Sequence, residues 1–473
     1  MEIRSLAVGV ATVVLLVSSF VLMRWRSSRR LPPGSMGLPL IGETLQFFAP
    51  GSLFELSPFV SSRLKRYGTI FKTSLLGSSV VFSADEEFNQ MAFQQEGKLF
   101  QSCYPESFNK IIGKHNLQAQ HGFVFKYLKS IIHDFVGHQT LKEVLIGEFE
   151  KAARTSLRLW AEHPYVELRE ATFAMTFNLA ATKLMSYEES SSLLEDLRKN
   201  VFAFIQGLFS FPVYIPGTSF YKSLKGRKDV MKILKKTLKT RMNSPELRYG
   251  DFWDKLVEEL TKNDPILTES MALDLAIAML FASSETTSQS IILAFKLLAE
   301  HQEVIKKLEE EQEEIMKKVG ERQDSKMTWE DYKSMQFTSQ VITEILRLGS
   351  IAPGILRKVM KNIEYKGYTI PEGWHVMVCT QAVHLNPRIY EEPLSFNPSR
   401  WKEKSAGDFK HFMAFGGGMR FCVGADYNLL FMSIFLHCLI TKYRWKIIKG
   451  GTITRSFGLE FPEDFNVQLI PKA

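Results

Sequence analysis

Residues 415–424 read FGGGMRFCVG: Phe415, three glycines ending at Gly418, then Arg420, Cys422 and Gly424 at alternate positions. A glycine-rich turn lets backbone approach a flat cofactor where a Cβ would collide. The run NLLFMSIFLHCLI (428–440) follows soon after and predicts a buried helix. Cys422 then lies just ahead of a helix N-terminus, where the dipole and free N–H groups favour a thiolate. A thiolate with amide donors around its sulfur is the axial arrangement that holds haem iron. Arg420 is placed to reach a haem propionate as a charge-assisted partner. The competing reading is a glycine turn beside a buried structural cysteine.

A second motif points the same way. ALDLAIAMLFASSETTSQSIILAFKLLAE (272–300) predicts one long apolar helix, broken at its middle by the polar run Ser283–Ser290. Polar blocks that violate a helix's pattern concentrate at functional sites. Hydroxyls at 286 and 287 can bond back to carbonyls one turn earlier, bending the helix and making room for water. Beside a haem, Thr286 could donate protons locally with Glu285 feeding it. A third motif is ITEILRLG, where Glu344 and Arg347 share a helix face between apolar neighbours, which implies a buried and fully paired cluster. FNPSRW (396–401) offers a third member, Arg400.

FGGGMRFCVG resembles the haem-binding loop of cytochromes P-450, and ASSETT resembles their acid–alcohol motif, with Ser283 where the family usually has glycine. Glu344, Arg347 and Arg400 resemble the family's structural triad, whose role is folding. The resemblance covers nearly the whole chain and implies a mostly helical haem-thiolate monooxygenase with a small β part. It implies Cys422 as the iron ligand, with Phe415, Gly418 and Gly424 shaping the loop. Arg420, Arg357 in APGILRK and Lys129 would hold propionates, while Thr286 and Glu285 handle protons. In HGFVFKYLKSII (121–132), Phe125 and Lys129 stand where many relatives have an aromatic or histidine followed by arginine. Ile351–Leu356 and Phe457–Leu459 would line the substrate cavity. O2 and electrons from NADPH, delivered by the membrane-bound NADPH–cytochrome P-450 reductase, complete the implied reaction.

At 473 residues and 45% hydrophobic, the chain can bury a large core. Its cysteines at 103, 379, 422 and 438 form no disulfide framework and no metal-type pairs, as expected for a reducing compartment. A net charge of +8 suggests an acidic partner or a membrane surface, and no nucleic-acid motif accompanies it. Leu6–Met23 is an uncharged, largely apolar run of 18 residues followed by Arg24, Arg26, Arg29 and Arg30. It is long enough to span a bilayer, and the basic cluster places everything downstream in the cytosol. The rival, a cleaved signal peptide, has its charges on the other side.

The expected organisation is an anchor with basic stop (1–30), a proline-rich hinge LPPGSMGLPLIGE (31–43) and a catalytic domain (44–473). Residues 67–85 predict a hairpin, helices fill most of the chain to about 350, and strands return at 363–380 and 452–470. The Phe- and Pro-rich stretch 200–220 suits a pocket wall or plain core. The basic run 222–241 reads as an amphipathic helix, with docking of an acidic electron donor as the alternative.

LPPGSMGLPLIGET, QEGKLFQSCYPESF, FPVYIPGTSFYKSLKGR and HFMAFGGGMRFCVG resemble the plant clan that oxidises sterols, brassinosteroids and triterpenoids. They are closest to its family numbered eighty-seven, subfamily A. That resemblance implies a sterol-sized apolar substrate in the endoplasmic reticulum membrane, and some members cleave a sterol side chain to pregnenolone. Simple hydroxylation is the alternative. Two rivals come from other classes. A haem-thiolate isomerase or dehydratase is disfavoured by Glu285 and Thr286, and a non-catalytic sterol-binding haem protein would show no NADPH turnover.

Overall fold

A computed structural model describes residues 30–208, 210–244, 246–320, 326–402, 408–456, 458–461 and 463–472. The expected anchor Leu6–Met23 and the cavity residue Phe457 lie outside the described residues. Among the described residues no helix is long and apolar enough to cross a membrane.

Helices dominate. Those that build the site are α1 (Glu86–Gln94), α2 (Gly122–Val136), α3 (Ile146–Ala161) and α4 (Leu168–Met185). They are joined by α5 (Ser192–Ile205), α6 (Ser219–Asn243), α7 (Glu269–Glu300), α8 (Gln336–Gly349) and α9 (Ala425–Lys442). Thr268 caps α7 by accepting from Met271 N–H, and 32 residues give that helix a length of about 48 Å. Helix α9 is apolar all round and correspondingly buried from Leu430 to Ile440. Its Tyr427 and Phe431 rings meet Phe149 of α3 at 4.9 and 5.1 Å. Helix α7 crosses α4, where Thr176 donates to Ser284 O (3.0 Å) and the Thr172 and Ser288 hydroxyls pair at 2.9 Å.

The small β part is mainly a five-stranded sheet of β1 (Ile70–Leu75), β2 (Ser78–Ser83), β3 (Phe100–Ser102), β4 (Ile355–Val359) and β5 (His375–Val378). Its order is β1-β2-β5-β4-β3, parallel only between β2 and β5. The β1–β2 hairpin turns at Leu76 (φ 50°) and Gly77 (φ 77°), the paired left-handed geometry that matches strand twist. In β4, Arg357 lies opposite Ser102 of the edge strand β3 on one side and Val376 of β5 on the other.

Two expectations change in detail. The segment 31–43 is laid along the sheet: Lys72 N–H donates to Pro33 O, and Glu43 accepts from Arg63 and from Thr73 (2.7 Å). The stretch 200–220 divides. Phe204, Ile205 and Leu208 are core, whereas Phe211, Val213, Tyr214 and Ile215 are exposed and are not core. Composition gives no sign of this division, because apolar atoms also make up much of a protein's surface. The basic helix α6 is amphipathic, burying Val230, Leu234 and Leu238 beneath its lysines.

Candidate active site

The 415–424 segment is a tight loop ahead of α9. Gly416 N–H donates to Met413 O, and Cys422 N–H reaches back to Phe415 O (3.0 Å). Gly416 (φ 73°) and Gly418 (φ 63°) adopt left-handed backbone, and a Cβ at 418 would strike Phe93 O of α1. Lys129 of α2 donates to Met419 O (3.0 Å) and Phe421 O (3.1 Å), clamping the loop from the other side.

Cys422 is exposed, as is Phe421. Protein nonetheless crowds its sulfur, and that burial pushes the thiol up; the Gly424 N–H and the Lys129 charge oppose the shift. The helix-terminus effect expected from sequence is therefore present but outweighed. A metal ion bound at sulfur reverses the balance, since a coordinating thiol is deprotonated outright.

The polar block of α7 touches α9 six residues beyond the cysteine, where Asn428 Nδ2 donates to Thr287 Oγ1 (3.1 Å). Between 271 and 299, Ala282 and Thr286 are the exposed residues on a helix otherwise buried or half-buried. One turn apart, they share a face. Thr286 Oγ1 bonds back to Ala282 O (2.9 Å), and Ser283 bonds back to Met279 O (2.6 Å), so the hydroxyl replacing the family's glycine is already engaged. Thr287 accepts from Asn428 where a back-bond was expected.

Glu285 sits on a different face, buried, accepting from Gln289 Nε2 (2.7 Å). Burial pushes its carboxyl up against the opposing Arg169 charge and the Gln289 hydrogen bond. Glu285 and Thr286 are thus adjacent in sequence with separate hydrogen-bond partners.

Arg420 of the loop and Arg357 of β4 converge on a residue that sequence reasoning missed. Glu96 Oε1 accepts from Arg420 Nε (2.9 Å) and Ser102 N–H (3.0 Å), and Oε2 lies 3.1 Å from Arg357 Nε. All three side chains are at most 5% exposed. Arg420 also donates to Leu117 O, Gln120 O and His121 Nδ1, and its guanidinium lies 3.8 Å from the Phe125 ring centroid. Glu96 stands in the polar stretch QQEGK (94–98), which gives no sign of burial, and its arginine partners are 261 and 324 positions away.

Glu344, Arg347 and Arg400 meet in a separate buried cluster. Arg347 binds Glu344 bidentately (2.8 and 2.8 Å), and Arg400 Nε, Asn397 N–H and Trp401 Nε1 complete the carboxylate's partners. Burial alone would raise this carboxyl, but the two arginines hold it below its ordinary value. Arg347 also donates to His384 O (2.7 Å). His384 in turn accepts Met413 N–H at Nε2 (2.9 Å) and contacts Ser350 Oγ at Nδ1 (2.8 Å), tying the cluster to the start of the cysteine loop.

These residues suit a haem. Cys422, with the Gly424 N–H at its sulfur, would supply a thiolate ligand, and two buried guanidinium groups against one carboxylate would favour an anionic propionate.

Comparison with known proteins agrees. A cytochrome P-450 family model matches residues 32–465. Cytochrome P-450 87A3 of Oryza sativa subsp. japonica is 52% identical over 95% of this chain and 88% of its own length. A beta-amyrin 16-alpha-hydroxylase of Maesa lanceolata is 38% identical over 98% of each chain. Among solved structures, "Retinoic acid bound cyanobacterial CYP120A1" superposes with a TM-score of 0.81 at 28% identity, covering 94% of this chain and 99% of that one. This chain belongs to the cytochrome P-450 family and is a haem-dependent monooxygenase using O2 and reductase-derived electrons.

Proposed function

We propose that this protein oxidises a sterol or triterpenoid, with Cys422 as the iron ligand. Haem, when bound, activates O2 and inserts one oxygen atom into a substrate C–H bond. Cys422 would supply the thiolate and Gly424 N–H steady its sulfur, with Phe415 and Gly418 shaping the loop. Arg357, Arg420 and Lys129 would hold the propionates. Thr286, on the accessible face of α7, would donate protons locally, and Glu285, buried on a different face, would feed it. Glu344, Arg347 and Arg400 would secure the fold beneath the loop. The observation that carries this reading is Thr286, exposed at the middle of a buried helix that is hydrogen-bonded to the helix following Cys422.

The substrate class is supported by named relatives. Besides the beta-amyrin hydroxylase, a cucurbitadienol 11-hydroxylase of Siraitia grosvenorii is 38% identical and a cholesterol 22-monohydroxylase of Trigonella foenum-graecum is 34% identical. The finest reading is sterol side-chain cleavage, from cholesterol or a phytosterol to pregnenolone. It needs successive oxidations at adjacent side-chain carbons, so the sterol tail points at the iron. Simple hydroxylation of a sterol, triterpenoid or brassinosteroid precursor needs only one. Residues 1–30 would anchor the protein in the endoplasmic reticulum membrane with the catalytic domain, 44–473, facing the cytosol. NADPH–cytochrome P-450 reductase would supply the electrons.

The test is product analysis by mass spectrometry from microsomes carrying this protein and a plant reductase, given NADPH with cholesterol, sitosterol or beta-amyrin. A twenty-one-carbon steroid supports cleavage, and a singly hydroxylated product removes it while keeping the monooxygenase. Cys422→Ser is expected to abolish the thiolate-type carbon-monoxide band. Retention of that band would overturn the ligand assignment. Thr286→Ala is expected to keep the band while more NADPH is lost to peroxide.

A further inference from the structure

Glu96 is a buried carboxylate in contact with two arginines proposed to hold haem. It directly follows Gln95, the C-terminal cap of α1, and Phe93 of that helix packs on Gly417 and Gly418. Through Ser102 N–H it is bonded to β3, directly opposite Arg357 in the sheet. Its carboxylate therefore joins the cysteine loop to the sheet edge.

The hydrogen bonding is incomplete on one side. Glu96 Oε2 and Arg357 Nε face each other at 3.1 Å, yet both are buried atoms without a hydrogen bond. Among the described residues, Arg357 donates only to Leu356 O (2.9 Å). Arg420 is fixed by Leu117 O, Gln120 O and His121 as well as by Glu96. Two guanidinium groups and one carboxylate leave one positive charge in excess, and with Arg357 hydrogen-bonded to one carbonyl alone, that excess can be met by an anion.

We propose that Glu96 is a positioning residue for haem: it sets the spacing and direction of Arg357 and Arg420 and places a negative charge beside the propionates, holding the reduction potential down. This rests on the haem site proposed above. Removing a nearby negative charge favours the ferrous state, because reduction adds an electron. Glu96→Gln keeps an acceptor oxygen for Arg420 and Ser102 while deleting the charge. Glu96→Ala deletes both.

The experiment measures the potential by spectroelectrochemistry, and haem loss by transfer to an excess of apomyoglobin, in the haem-loaded full chain. For Glu96→Gln the reduction equilibrium is expected to shift about threefold toward ferrous, or about 28 mV at 59 mV per tenfold. Glu96→Ala is expected to lose haem about tenfold faster. If Glu96→Gln leaves the potential unmoved, or both variants only lower the melting temperature, Glu96 is a fold residue and the proposal fails. A wild-type protein lacking the thiolate-type carbon-monoxide band would sink the haem-site reading itself, and this proposal with it.

Discussion

The two buried charge clusters have the same composition, one carboxylate against two guanidinium groups, and opposite degrees of closure. Glu344 takes five donors from Arg347, Arg400, Asn397 and Trp401, so both its oxygens are used. Glu96 takes two hydrogen bonds, both at Oε1, and Oε2 is left without one. Arg347 spends its remaining donors on backbone carbonyls of His384, Pro393 and Ser395, whereas Arg357 donates to a single carbonyl. The first cluster is finished by the protein. The second leaves Glu96 Oε2 unbonded and Arg357 with one carbonyl acceptor, so on the reading proposed above equal charge counts mark a structural joint in one place and a propionate site in the other.

Breaking each cluster should separate these roles. Glu344→Ala strands two cations in the interior, and a loss of about 3–5 kcal/mol is expected. Soluble yield and urea denaturation measure it, and a loss below about 1 kcal/mol would mean the cluster is not a structural joint. Arg357→Leu should spare the fold. Losing a charge-assisted hydrogen bond of about 1.5–3 kcal/mol should instead speed haem transfer to apomyoglobin roughly tenfold to a hundredfold. A variant that keeps haem but melts early would reverse the assignment.

The smallest effect concerns acid. Burial, with the Arg347 charge beside it, pushes His384 down to about 3, and burial with Arg154 pushes His437 to about 4. Each has a folded value below its ordinary one, so the unfolded chain takes up the proton first. Stability should therefore fall with pH below about 6.5, by up to about 1.4 kcal/mol per pH unit for each histidine. Between pH 4 and 6, His384→Gln should remove one histidine's share of that slope in urea titrations. An unchanged slope would show that His384 is charged in the folded protein.

What spacing alone made legible was contiguous, whereas Arg400, Arg357 and Lys129 were named through the family resemblance. The cysteine loop, the polar block of α7 and the Glu344–Arg347 pair each lie within a few residues, so spacing alone places their members together. The hairpin and the long apolar helices follow from local patterning. Glu96 was invisible because strand pairing and the α1–loop contact, not sequence proximity, deliver its partners. Arg455 is a similar case. Fully buried, it donates to Gly349 O and Ser350 O at the end of α8, more than 100 positions away. The exposure of Phe211–Ile215 was equally hidden, since an aromatic run reads alike whether it is covered or bare.

The His384 ring has a consequence for spectroscopy. Met413 N–H must donate, so Nε2 offers its lone pair and the neutral ring carries its proton on Nδ1, toward Ser350 Oγ. Ser350 in turn gives its own proton to Arg347 O (2.9 Å). This imidazole is thus locked in the less common tautomer by an amide 29 positions away, two residues before Phe415. Its ring-nitrogen chemical shifts make it a built-in sensor of whether the cysteine loop is seated, readable without touching a residue of the loop.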